Sequence, residues 1–100
     1  MELKSQVMEI VKSLEKMYPT VDDERDAYEY LNEALDIEYT VNGQKEYLGA
    51  RILVAFGGPN IWINTRRSTV EGFWWGESFE AGYLDGLGLD EACEDIFSAT

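Results

Sequence analysis

The sequence predicts an α+β fold in the order α-α-β-β-β-β-α, with two N-terminal helices, a four-stranded antiparallel meander and one or two short C-terminal helices. Three observations predict it: apolar residues recur about every 3.6 positions at both ends of the chain, they alternate with polar residues in the middle, and short turn signals separate the alternating runs. The chain has 100 residues, which suits a single domain covering 1–100.

Two helices are predicted before the sheet. The first carries an apolar stripe, and Pro19 ends it because proline pushes the preceding residue out of the helical conformation. The second begins near Thr20 or Asp22, whose side-chain oxygens can cap a helix, and it runs to about residue 36. The apolar stripes consist of Leu3, Val7, Ile10, Val11, Leu14 and Met17 in the first helix and Ala27, Tyr30, Leu31, Ala34 and Leu35 in the second.

The first hairpin is predicted from alternation and from its turn. Residues 37–41 alternate between apolar and polar side chains, and Asn42-Gly43 is typical of a two-residue type I′ turn. Such a turn places Val41 opposite Gln44 and therefore Ile37 opposite Leu48. The core face of the second strand then consists of Leu48, Ala50, Ile52, Val54 and Phe56.

The third and fourth strands follow at "IWINT" and "VEGFWW", after turns at 57–60 and 66–69. Pairing Phe56 with Ile61 and Thr65 with Val70 puts Trp74 on the core face. The opposite face then carries an aromatic patch made of Trp62, Phe73 and Trp75.

The C-terminal segment is predicted to be helical. Ser78 is expected to cap a short helix that reaches Leu84, and Asp90 to cap a last helix. The apolar side of that last helix consists of Ala92, Cys93, Ile96 and Phe97. Three interpretations of the outer aromatic patch are open. The favoured one is that the last helix covers it. The others are that a second copy of the chain packs on it as a homodimer, or that another protein binds to it.

Composition argues against most enzyme classes. The chain has no histidine, so it lacks the commonest general base and metal ligand and cannot form a Ser-His or Cys-His pair. The run "DDERDAYEYLNE" lacks the spacing of a calcium loop, and "AFGGPN" lacks the Lys and Ser/Thr of a phosphate loop. A carboxylate pair is the acid–base chemistry left open. We therefore predict no enzyme, no metal and no cofactor.

The single Cys93 and the absence of a signal peptide favour the cytoplasm.

Charge is the most informative feature. The net charge is −12, which disfavours direct binding to nucleic acid or to anionic membranes. Residues 17–44 carry eight acids and only Arg25, residues 68–100 carry eight acids and no base, and residues 45–67 form a small basic island. Carboxylates displayed at this density on rigid helices could occupy a basic groove meant for nucleic acid. Acidity that serves only solubility is the alternative.

In length, in its acidic blocks at 22–38 and 71–95, and in its short helix-flanked sheet, the chain resembles small acidic phage and mobile-element α+β proteins of the anti-CRISPR and DNA-mimic kind. The resemblance implies a non-enzymatic inhibitor or adaptor that binds a basic protein surface, with no functional residue carried over. The residues predicted to bind the partner are Asp22, Asp23, Asp26, Glu29, Asp90, Glu91, Glu94 and Asp95, with Trp62 and Trp75 as aromatic anchors. The alternative is an assembly module that dimerises through the aromatic sheet face.

Overall fold

The computed structural model describes residues 3–15 and 27–100, and it is an α+β fold with helices at both ends of an antiparallel sheet. The elements are α1 (Leu3–Leu14), α2 (Ala27–Asn32), β1 (Asp36–Val41), β2 (Tyr47–Ala55), β3 (Asn60–Asn64), β4 (Thr69–Trp74), β5 (Glu77–Gly82) and α3 (Leu89–Ala99). The sheet order is β1-β2-β3-β4-β5, so each strand pairs with its neighbour in sequence. The predicted class is confirmed, with five strands where four were expected.

One row of apolar side chains crosses all five strands and forms the centre of the core. Its members lie directly opposite one another in the successive strand pairs: Ile37, Ile52, Ile63, Val70 and Ala81. Because side chains alternate between the two faces of a strand, this register fixes which face is apolar. The apolar face packs against the helices in a single cluster.

All three helices contribute to that one cluster, so the protein has two layers. Helix α1 lies over β4 and β5, α3 lies over β2, and α2 packs against α3. A Cβ on Gly72 would stand 2.7 Å from Val7 Cγ2 and 2.8 Å from Leu3 Cδ1, so this position allows α1 its close approach to β4. The second face of the sheet, which we call the open face, carries none of the described helices.

Most of the predicted strand faces are correct, but the registers are not. Ile37 lies opposite Ile52 instead of Leu48, because the β1–β2 loop is longer than two residues. The Asn42 side-chain oxygen accepts hydrogen bonds from the backbone N–H groups of Gln44 and Glu46 and holds the wider loop. The shift of four residues at Ile37 is even, so that residue keeps its predicted face. At the irregularity between Thr40 and Val41 the alternation breaks, and Tyr47 packs against the core where Leu48 was predicted.

Phe56 and the pairings around it also differ from the prediction. Ala55, not Phe56, lies opposite Ile61, after a register irregularity that begins at Leu53. Phe56 therefore falls beyond the end of β2, and it is 72% exposed instead of buried in the core. Val70 lies opposite Ile63 instead of Thr65.

The helix predicted from Ser78 to Leu84 is wrong, since most of this segment forms strand β5. Phe79 and Ala81 alternate with exposed Glu80, and both pack against the core. Pairing with the free edge of β4 satisfies the backbone here, and this long-range contact outweighs the capping signal of Ser78.

The helix ends differ in detail. Helix α2 ends at Asn32 instead of near residue 36, and Leu35 is exposed while its N–H donates to the Leu53 carbonyl. Met17, Pro19 and the predicted start of the second helix lie outside the described residues. The Asp85 carboxylate, not Asp90, accepts from the first N–H groups of α3, those of Leu89 and Asp90. No helix in the described ranges is long and apolar enough to cross a membrane.

Candidate protein-binding surfaces

Helices α2 and α3 bring the two acidic blocks of the sequence together. The hydroxyl of Tyr28 on α2 donates to Asp95 Oδ2 on α3 at 2.7 Å. Neither helix contains a Lys or Arg within its bounds. The exposed acids of the two helices define what we call the acidic surface: Glu29, Glu91, Glu94 and Asp95. The bond between Tyr28 and Asp95 thus joins two acidic helices that are more than sixty positions apart in the sequence.

Asp90 has a different environment from the other acids of α3. Its Oδ1 accepts hydrogen bonds from the hydroxyls of Tyr47 and Thr65, both at 2.8 Å. The same Thr65 hydroxyl oxygen accepts from the backbone N–H of Ala50 at 2.8 Å. Burial is the main cause of a raised pKa at Tyr47, so its phenol stays protonated as a donor. The carboxylate of Asp90 therefore anchors α3 to the sheet and is only partly exposed.

Two further polar groups lie within the core beside this anchor. Burial raises the pKa of the Cys93 thiol to about 12, and the carboxylates of Asp90 and Asp85 add to the shift. The thiol therefore stays protonated and unreactive at neutral pH. The hydroxyl of Tyr83 is buried and has no hydrogen-bond partner within the described part of the chain.

The open face of the sheet carries an ion-pair network centred on Glu71. Glu71 is nearly buried and accepts hydrogen bonds from Asn64 Nδ2 and the Thr69 hydroxyl. Guanidinium nitrogens of Arg51 and Arg67 each stand 3.8 Å from its carboxylate oxygens. The outer ends of the network are the pairs of Arg51 with Glu38 and of Arg67 with Glu80, each at 3.5 Å. Two of the arginines of the basic island therefore neutralise the protein's own acids.

The predicted outer aromatic patch is not a single surface. Trp62 lies on the open face beneath Arg51, whose guanidinium carbon is 4.3 Å from the ring centroid. Trp75 does not belong to a strand: with Gly76 it forms the β4–β5 turn, and both residues have positive φ, 53° and 79°. Trp74 lies on the core side and packs against the core, as predicted.

Helix α3 does not cover these aromatics, so the favoured interpretation is wrong. Its buried residues Leu89, Ala92 and Cys93 join the core on the helical side of the sheet. Phe97, which was expected to meet the tryptophans, packs instead against Tyr39 and Tyr47, with ring centroids 5.3 and 5.9 Å apart. The helix packs on the face that carries the apolar row running from Ile37 to Ala81, opposite the face that carries Trp62.

Exposed aromatic residues gather at one end of the sheet. In a meander the β2–β3 and β4–β5 turns lie at the same end, and the pairing of Asn60 with Phe73 brings these two turns side by side. Phe56, Phe73 and Trp75, which we call the aromatic end, are 72%, 42% and 88% exposed. Beside Trp75 is a shallow pocket of about 380 Å³. Its lining includes Gly58, Asn60, Phe73, Glu77 and Ser78.

The predicted binding residues thus fall into separate places. Glu29, Glu91, Glu94 and Asp95 form the acidic surface, while Asp90 serves the scaffold. Trp62 lies on the open face and Trp75 at the aromatic end. Asp22, Asp23 and Asp26 lie outside the described residues. Within the described ranges, no group of three or more His, Cys, Asp or Glu residues could hold a metal ion.

Sequence reasoning missed Phe56 as part of an exposed cluster. The sequence contains a signal for this exposure, because Gly57-Gly58-Pro59 directly follows Phe56. Residues next to such a glycine- and proline-rich turn often lie outside the paired part of the strand. The capping role of Asp85 was also missed, since it lies four residues before the first helical position.

The chain matches no protein-family model, and comparisons with curated proteins and with solved structures gave no match.

Proposed function

We propose that the protein is a non-enzymatic inhibitor or adaptor whose acidic surface binds a basic surface of another protein. The observation that carries the proposal is that α2 and α3 lie side by side, joined by the hydrogen bond from Tyr28 to Asp95. One acidic block of the sequence is thereby placed next to the other, and neither helix contains a basic residue. Glu91 and Glu94 are exposed, and neither makes an ion pair within the described ranges. Their negative charge is therefore available to a partner.

The distribution of the arginines supports the same function. Arg51 and Arg67 pair with acids on the open face, which is the side of the sheet opposite the helices. The positive charge of these two arginines is thereby separated from the acidic surface by the thickness of the sheet and core. On the helical side, α1 carries Lys4 and Lys12, whereas α2 and α3 carry no base. A local excess of negative charge on α2 and α3 steers a positively charged partner toward these helices.

The acidic surface is also held in place before binding. Asp90 ties the first turn of α3 to β2 and to the β3–β4 turn, and the Asp85 cap fixes the helix start. Tyr28 joins the far part of α3 to α2. Rigid placement reduces the entropy that charged side chains lose on binding.

The partner class that fits this chemistry is a basic groove that otherwise holds nucleic acid. Carboxylates on rigid helices present negative charge as phosphates do, and such grooves gain affinity from the same electrostatics and counterion release. In this proposal the protein acts as a DNA mimic in the cytoplasm of a cell whose defence or DNA-processing protein it blocks.

An arginine-rich peptide of twelve residues serves as the defined probe. The triple variant Glu91→Gln, Glu94→Gln and Asp95→Asn neutralises the acidic surface, and Glu9→Gln, Glu46→Gln and Asp36→Asn is the control with the same net charge. Each exposed charge contact contributes about 0.2–1 kcal/mol, so the first triple should weaken binding roughly tenfold. The control should weaken it less than about threefold.

The two triples separate a defined surface from general acidity. Equal losses of affinity in both variants would mean that only net charge matters, and the proposal would fail. Circular dichroism of each variant confirms that the fold is intact. The amide and acid side chains are nearly the same size, so the substitutions change charge and not packing.

A further inference from the structure

We infer that the aromatic end is a homodimer contact, in which Trp75 of each copy inserts into the pocket beside Trp75 of the other. The contact differs from a dimer through the open face, because Trp62 there is already stacked against Arg51. It also lies apart from the acidic surface, so it adds a second binding function to the protein.

The first argument is the conformation of Trp75. A two-residue turn with positive φ at both positions favours asparagine or glycine, since a Cβ is strained in this region. Tryptophan at such a position is unfavourable for the turn, and at 88% exposure it gains almost no burial within the chain. Strain combined with exposure at one residue points to a function outside the folding of the monomer.

The second argument is the shape of the surface. The pocket of about 380 Å³ lies directly beside Trp75, with Phe73 among its lining residues. That volume lies in the range that accommodates small ring systems. Trp75 also forms one wall of this pocket, so a two-fold rotation, the usual symmetry of homodimers, can place the Trp75 ring of each copy against the pocket of the other.

The third argument is area. Large aromatic side chains bury about 150–250 Å² each, so the exposed parts of Phe56, Phe73 and Trp75 together present about 400 Å². A patch of this size is at the scale of functional patches on monomers. Two copies would bury about 800 Å² of aromatic surface plus the pocket walls, which corresponds to a weak, reversible dimer.

The position of the acidic surface limits the repulsion between two copies that meet at this end. Asp90 of α3 bonds to Thr65 and Tyr47, which lie at the opposite end of the sheet. Contact through the aromatic end therefore keeps the two acidic surfaces apart. Glu77 is the one charged residue in the lining of the pocket.

Sedimentation velocity from about 10 µM to about 1 mM tests the inference, a range chosen for a dissociation constant of about 10–500 µM. The wild type should shift from monomer to dimer over this range. Trp75→Asn, which suits the turn, should remain monomeric throughout. Leu84→Ala is the matched control, because Leu84 is another exposed apolar residue, at 70%, placed after β5 at the opposite end.

Each outcome decides the inference. A wild type that stays monomeric at about 1 mM overturns it, and so does a dimer that persists in Trp75→Asn. If Trp75→Asn is misfolded by circular dichroism, Trp75→Gly repeats the test with the other residue that the turn favours. A monomeric wild type whose tryptophan fluorescence shifts with phosphatidylcholine vesicles would assign the aromatic end to lipid and overturn the homodimer.

Discussion

The acidic surface and the aromatic end lie on different sides of one small domain, and they rest on different kinds of structure. The acidic surface is built from two helices that meet in space, and its charges come from blocks far apart in sequence. The aromatic end is built from two turns, and its prominent residue occupies a strained position in one of them. Charge blocks can be recognised by composition, whereas an exposed anchor in a turn depends on the register of the sheet.

The two surfaces also differ in how solvent should affect them. Binding through the acidic surface gains from electrostatic attraction, which salt screens. Contact between two aromatic ends is apolar and brings together two chains of net charge −12, so salt should weaken the repulsion between them. The response to salt concentration can therefore distinguish the two surfaces experimentally.

The largest effect is expected at Asp90, which separates scaffold acids from surface acids. Asp90→Ala leaves the hydroxyls of Tyr47 and Thr65 without their carboxylate, and it should lower the free energy of unfolding by about 2–3 kcal/mol. Glu91→Ala, one residue further along α3, should change it by less than about 0.5 kcal/mol. Urea denaturation measures both. Similar values for the two variants would place Asp90 with the surface acids.

The second effect is the opposite response of the two surfaces to salt. Raising sodium chloride from about 50 to about 200 mM should weaken binding of the arginine-rich peptide roughly tenfold. The same change should strengthen the homodimer about two- to threefold by screening the repulsion between copies. Isothermal titration calorimetry and sedimentation equilibrium give the two constants. Salt effects of the same sign on both would break the distinction between the surfaces.

A smaller effect is expected on the stability of the monomer when Trp75 is replaced. Trp75→Asn removes the strain of a bulky residue at φ 53° in a turn that asparagine favours. We expect the free energy of unfolding at low protein concentration to rise by about 0.5–1 kcal/mol. A loss of stability by chemical denaturation would instead assign Trp75 a structural role within its own chain.

The last effect concerns the core that both surfaces share, and it is absent at neutral pH. The pKa of the Cys93 thiol is raised from an ordinary value of 9.0 to about 12 by burial and by the carboxylates of Asp90 and Asp85. The unfolded chain therefore loses this proton first. The stabilising contribution is complete below pH 9.0 and is lost as the pH rises toward about 12.

Thermal melts of the wild type and of Cys93→Ala test this expectation. The melting temperature of the wild type should fall with pH above 9.0, and the decline should begin later in Cys93→Ala, where the buried tyrosines remain. Matching pH profiles for the two proteins would show that Cys93 does not contribute. Neither surface should be affected at neutral pH.

The sequence predicted the fold class and most of the faces of the first four strands because these depend on periodicity. Trp74 and Trp62 lie on the predicted sides of the sheet, since the error in the β3–β4 pairing is two residues and leaves the alternation unchanged. The error at the end of β2 is one residue, and it is the reason that Phe56 is exposed. The error at Asn42 arose because its side chain bonds two backbone N–H groups and widens the loop, which composition does not reveal. Strand β5 was missed because the capping signal of Ser78 can be read from the local sequence, whereas pairing with the edge of β4 depends on the tertiary fold.

The candidate surfaces could also be predicted in part, where they depend on the periodicity of a helix. The acids Glu91, Glu94 and Asp95 fall on one side of an amphipathic helix, so their joint exposure follows from helical spacing. Their neighbour across the surface, Tyr28, comes from a segment more than sixty positions away, and no local pattern indicates that contact. Trp75 was assigned to a strand because tryptophan is not a residue type that indicates a positive φ.

Nuclear magnetic resonance of the backbone amides tests the central claim of two independent surfaces most directly. Addition of the arginine-rich peptide should shift the amides of residues 28–32 and 90–98 and leave those of 56–60 and 73–78 in place. Dilution of the free protein from about 1 mM should move the second set and leave the first unchanged. Peptide-induced shifts at the aromatic end, or dilution shifts on α3, would contradict the account.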